Sequence, residues 1–338
     1  MAVWRNFLKS FWQKYFLMFL SGIVSAIICF SAIYSFFCRN YAIGMVKAQF
    51  EELEKNLQSI GYDFAYDEVR FYSFSPWQII RVKNFKIYSL DEKDFWQWTV
   101  DDLNIDVGLW DIETVDVFLG SKQAIQRNDK EWPILVPKID TQVRLKKGAF
   151  KELVLKAADA KVKNLMTIDS VYFQLKHQKV PYASAKLDVK GITIDDMTGW
   201  PMNKMIDHFY LDTYLQGDWD KDVLISEAFY DWQDKGGSIV LQRGILNWKP
   251  LIMVANGDVI FNENTDVTIS LNTASLAMLE TLDKLNENGF ISNKGAFVVK
   301  ILLNNKAIQQ KATDKYKMVV SPLKINDKHV YLENIKIK

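Results

Sequence analysis

The chain has 338 residues, 42 of them basic and 41 acidic, with 49 % hydrophobic residues and two cysteines. That balance argues against a nucleic-acid partner, which needs a basic face, so no nucleic acid is expected. Cys29 and Cys38 share one charge-free run; on a helix they would sit about 13 Å apart along the axis, beyond disulfide reach, so the fold must rest on its own core.

Tyr15 to Phe37 is a run of 23 residues without a charge. As a helix it would be about 35 Å long, enough to cross a ~30 Å hydrocarbon core. Arg5, Lys9 and Lys14 precede it with no acidic residue, which predicts a cytoplasmic N-terminus. The expected organisation is a cytoplasmic tail (1–14), a transmembrane anchor (15–38), an amphipathic stalk helix (39–61) and an exported β-rich domain (62–338). A cleaved signal is the lesser reading: the run exceeds a signal core of about 7–15 residues and ends in bulky Phe36-Phe37 where a peptidase needs small side chains. The expected placement is therefore single-pass in a membrane, with the N-terminus cytoplasmic, the bulk on the far side and the lipid bilayer as partner. That bulk carries 39 basic and 41 acidic residues, a net of −2.

After the run, Val46, Phe50, Leu53, Leu57 and Ile60 recur at helical spacing, and Gly61 is the expected stop. The period then changes to two. Leu103, Ile105, Val107 and Leu109 alternate with polar or small residues, as do Val115, Val117 and Leu119, then Ile139, Thr141, Val143 and Leu145. Val171-Phe173-Leu175, Leu187-Val189 and Val267-Ile269-Leu271 repeat the pattern, which is that of half-buried antiparallel strands. Two helices interrupt it. Ile225, Ala228, Phe229 and Trp232 form one stripe, with Asp220 or Asp222 as N-cap and Gly236-Gly237 as stop; Met278, Leu282 and Leu285 form the other, with Ser275 as cap. Lys294 to Leu303 suits a helix or a strand. Leu323 and Ile325, then Asn326-Asp327-Lys328, then Val330 and Leu332 predict a hairpin.

Catalytic signatures are missing. The sequence contains no G-x-S-x-G, Walker loop, H-E-x-x-H or paired C-x-x-C. His177, His208 and His329 are scattered among strand-like residues. Asp101, Asp102 and Asp106 read as a solvated strand face rather than a cation site, and Asp195-Asp196 as a turn. No catalytic, cofactor-binding or metal-binding residue is expected, and no cofactor. The 11 Trp, 14 Tyr and 21 Phe either fill a sheet interior or line a lipid-sized groove.

One motif stands out. Trp232, Gly236-Gly237, the strand from Ser238 to Leu241, then Trp248-Lys249-Pro250-Leu251 and Gly257 resemble the signature of an uncharacterised bacterial envelope family, domain of unknown function 2125, found mainly in alphaproteobacteria. Lys249 stands where that family usually has Gly, and Asp258 where a small or hydroxyl residue is usual. The resemblance implies a single-anchor protein of the bacterial inner membrane with its bulk periplasmic, and carries over no catalytic residue. Independently of it, the two glycines can end the helix and reverse the chain so that Trp232 packs on the returning strand, while Trp248 and Pro250 mark the next corner. A looser similarity, from Tyr72 to Pro76 and from Val82 to Ile87, is to the AsmA-like envelope proteins, which resemble long β-grooves that shield lipid.

The expected fold is α+β: an N-terminal transmembrane helix, then an elongated, curved antiparallel β-sheet with packed helices. The expected function is a non-enzymatic envelope protein binding lipid in an apolar β-groove. The alternative is a scaffold for assembly with other envelope proteins, and the third option a periplasmic enzyme without a recognisable motif.

Overall fold

The computed structural model describes residues 40, 43–44, 47–48, 50–72, 77–91, 93, 95–108, 114–146, 149–177, 183–195, 201–218, 225–261, 267–310, 319–326, 329–332 and 335–336. The expected tail (1–14) and anchor (15–38) lie outside them. The single-pass placement in the inner membrane, with a periplasmic bulk, is corrected accordingly. Among the described residues no helix is long and apolar enough to cross a membrane. A spanning helix takes about 20 consecutive apolar residues, whereas the helix Asn293–Gln309 has 17 and carries Lys294, Lys300 and Lys306.

The period-two patterns build one large antiparallel sheet. β1 (Tyr62–Ala65) and β2 (Glu68–Tyr72) run end to end along one side of β3 (Trp77–Ser89), and β4 (Trp96–Gly108) pairs on its other side. β5 (Thr114–Leu119) and β6 (Lys122–Arg127) share β4 in the same way. β7 (Lys130–Leu135) pairs with β6, β8 (Lys138–Lys146) with β5, and both with β9 (Ala149–Val162). From β9 each strand pairs with the next: β10 (Met166–His177), β11 (Ala183–Ile194), β12 (Met205–Gln216), β13 (Ser238–Trp248), β14 (Leu251–Phe261), β15 (Val267–Leu276), β16 (Val319–Asn326), β17 (His329–Leu332) and β18 (Ile335–Lys336). Order in the sheet thus follows order in the chain, the arrangement short turns impose. Asn128 (φ 51°) and Asn164 (φ 59°) take the left-handed turn positions after β6 and β9, which asparagine tolerates better than other side chains.

Few helices accompany the sheet. α1 (50–59) ends at Gly61, whose φ of 82° closes it. α2 (Ile225–Asp234) lies between β12 and β13, and α3 (Met278–Glu287) and α4 (Asn293–Gln309) between β15 and β16. Two local expectations change. Ser275 belongs to β15, and the residue before α3 is Ala277 with φ 56°. The ambiguous segment is helical: Ser292 Oγ accepts the Gly295 N–H, and Ala296, Val299, Leu303 and Ala307 form a buried helical stripe, which overrides the β-branched content. The expected terminal hairpin forms, with Leu323 opposite Leu332 and Ile325 opposite Val330.

Candidate functional site

Residues directly opposed across strands share a face of the sheet. Val117 faces Thr141, which faces Leu155, and the row continues through Phe173, Leu187 and Leu211 to Gly244. Toward the N-terminal end the same row runs from Val117 through Ile105 and Ile80 to Phe71. Toward the C-terminal end it runs through Ala255 and Thr273 to Ser321. One side of the sheet therefore carries a continuous, mostly apolar row from β2 to β16, broken by Thr141, Thr273 and Ser321.

The two ends of this surface are covered. Ile80, Val82, Leu103, Ile105 and Val115 are buried in one cluster, against which Phe50 of α1 and Phe64 pack. At the other end Phe229 and Trp232 of α2 meet the ring of Phe261 at 5.4 and 5.9 Å between centroids. Leu282 of α3 with Val299 and Leu303 of α4 close on Leu323, and the main sheet contacts of this helix pair are with β14 and β16. Beneath it the face is small: Thr273, Ser275 and Ser321 are almost fully buried, and Thr273 Oγ1 donates to the Ser321 carbonyl at 2.7 Å.

Between these ends the row is bulky. Leu155, Phe173, Leu187 and Leu211 are half-buried, as are Leu153, Leu175, Phe209 and Leu246 beside them. At about 4.8 Å per strand, the five strands β9–β13 make this stretch roughly 19 Å wide, comparable with one leaflet of a ~30 Å hydrocarbon core.

The opposite side is polar and laced across strands. Glu152 accepts from Gln174 at 2.7 Å and pairs with Arg144 and Lys176 at 3.1 and 3.3 Å. Lys186 pairs with Asp212 at 3.1 Å, and Asp188 with His208 at 3.0 Å. Arg81 grips both oxygens of Asp102 at 2.7 and 2.5 Å. That hydrogen bond holds the Asp102 carboxyl below the usual range, and the bond to Asp212 raises Lys186. Pairs this exposed add little stability; their larger effect is to fix register and keep this side in water.

Asp106 is different. It stands directly across from Asp116, and burial, then the Asp116 charge, push its carboxyl above the usual range. One Asp116 oxygen is buried without a hydrogen-bond partner. Of the acidic trio singled out in the sequence, Asp102 is therefore ion-paired, Asp106 is part-buried and Asp101 is exposed. His177, His208 and His329 lie on β10, β12 and β17, and the described residues include no group of three or more His, Cys, Asp or Glu that could hold a metal.

The motif residues form corners around α2 and β13–β14. Trp232 is 1 % exposed, and its indole N–H donates to the Gln216 carbonyl at 2.9 Å. Gly236 takes the left-handed position (φ 77°), while Gly237 lies against the Trp232 ring. Trp248 opposes Leu251 across the β13–β14 corner and donates to the Asn203 carbonyl at 2.7 Å. The Lys249–Pro250 bond is cis, and Lys249 pairs with Asp207 at 3.0 Å. Gly257 passes so near β15 that a Cβ would lie 1.9 Å from the Ser270 carbonyl oxygen. Sequence reasoning singled out these corners and missed the bulky row, whose members become neighbours only through strand register. No family model, curated protein or solved structure matches the chain.

Proposed function

We propose that this chain is a non-enzymatic lipid-binding protein whose sheet holds an acyl chain on its apolar side. The observation that carries this reading is the half-buried row Leu155–Phe173–Leu187–Leu211, which lies between the part covered by α1 and the part covered by α2–α4. Covering such a row with an acyl chain removes apolar area from water, at about 25 cal/mol per Å². The elongated, curved form expected of the sheet would make this side a groove.

Lipid retained by the purified chain tests the reading. Phospholipid or fatty acid should remain bound through extensive washing of the wild type and be reduced in Leu187→Gln/Leu211→Gln, two substitutions on half-buried positions. Equal retention by both proteins would overturn it. Protein partners captured through the same row, in place of lipid, would favour the scaffold for envelope assembly.

A further inference from the structure

α4 presents apolar side chains to both sides. Ala296, Val299, Leu303 and Ala307 face the sheet and α3. Phe297 and Ile308 are 65 % and 64 % exposed, and Ile301 and Val298 are exposed with them. At about 100° per residue, Phe297, Ile301 and Ile308 fall within roughly 40° of one another, with Val298 at their margin. Single exposed apolar residues need no explanation, but a stripe of them does.

The charges on α4 itself have one sign, while the neighbouring α3 carries acidic residues. α4 contains Lys294, Lys300 and Lys306 and no acidic residue. Lys294 falls within the exposed arc, and Lys300 and Lys306 flank it on either side. Lys300 is bonded to Asp283 of α3, and α3 also carries Glu280, Lys284 and Glu287. An apolar stripe with the exposed Lys294 within its arc complements an interface that is greasy within and anionic at its rim.

We propose that α4 is an interfacial helix that lies on an anionic lipid bilayer, inserting Phe297, Ile301 and Ile308 among the acyl chains while Lys294 meets the headgroup phosphates. The helix lies along the surface and does not cross it. The inference is independent of whether the sheet itself holds lipid.

A polarity-sensitive fluorophore on Ile301→Cys, in the full chain with Cys29 and Cys38 changed to Ser, tests this directly. With vesicles of mixed phosphatidylglycerol and phosphatidylcholine its emission should shift to the blue and rise. Phosphatidylcholine alone should give much less, and salt should reverse part of the shift. Lys294→Ala should weaken the anionic-vesicle response about fivefold. Phe297→Ser/Ile308→Ser, both on exposed positions, should abolish it with melting unchanged. An unshifted probe in anionic vesicles would overturn the proposal. So would a probe already blue-shifted before vesicles are added, because a second copy or another part of the chain would then cover α4.

Discussion

Gly237 lies under the indole of Trp232: a Cβ on the glycine would sit 2.2 Å from Cε2 of the ring. The two residues are joined further by the Gly237 N–H, which donates to the Trp232 carbonyl at 2.8 Å. Trp232 is thus fixed on several sides, by Gly237 below, by Phe229 and Phe261 around it, and by the Gln216 carbonyl at its N–H.

Trp232→Ala should therefore cost about 3–5 kcal/mol. Gly237→Ala should also be strongly destabilising, through a steric clash with a ring that has no room to move. Gly236→Ala should cost only about 1–2 kcal/mol, because nothing lies within 4 Å of its would-be Cβ and only its left-handed backbone is penalised. Denaturant melts of the three variants check the ranking. If Gly237→Ala melts no lower than Gly236→Ala, the ring contact does not govern this corner.

Gly257→Ala should be more damaging than either margin of its strand suggests. Its would-be Cβ meets backbone, the Ser270 carbonyl of β15, and backbone inside a paired ladder cannot shift without loss of register. Loss of the β14–β15 pairing should show as faster amide exchange at both strands in the variant than in the wild type.

Asp102 and Asp106, both on β4, respond oppositely to pH. The raised carboxyl of Asp106 makes its contribution full below the ordinary carboxylate pKa of about 4 and lost as pH rises through its higher folded value. The lowered carboxyl of Asp102 contributes above about pH 4 and loses that contribution as pH falls through its lower folded value. Asp106→Asn should therefore raise the melting temperature at neutral pH, with the gain vanishing in acid, and its amide N–H can donate toward the Asp116 carboxylate across the strand pair. Arg81→Met should lower it at neutral pH, with a loss that shrinks in acid. Melting curves at several pH values separate the two, and a pH-independent difference for Asp106→Asn would contradict the assignment.

Much of the sheet was legible because the strands around Leu103–Val107, Ile139–Leu145, Val171–Leu175 and Val267–Leu271 alternate cleanly. β9 was not, since its run of Ala, Leu, Lys and Glu favours a helix in isolation; pairing with β8 on one side and β10 on the other makes it a strand. β12 was hidden differently: Tyr210 and Tyr214 occupy its polar side beside His208 and Asp212, so apolar count alone blurs the alternation. α4 was ambiguous because its apolar residues serve two faces at once. The bulky-to-small change along the row, from Leu187 and Leu211 to Gly244, Ala255 and Thr273, is written in the sequence but has no meaning until register aligns those residues.

The expected groove reading rests on side-specific contact, and β10 offers an internal control. Phe173 belongs to the apolar row, opposite Leu155 and Leu187. Its neighbour Tyr172 points to the other side, opposite Lys156 and Asp188. A photoreactive benzoyl-phenylalanine placed at each position in turn, irradiated in cells and followed by mass spectrometry of the β10 peptide, compares the two sides of one strand. Lipid adducts at position 173 and none at position 172 are the expected result. Equal lipid labelling at both positions, or adducts at 173 to protein alone, would contradict lipid binding on the apolar side.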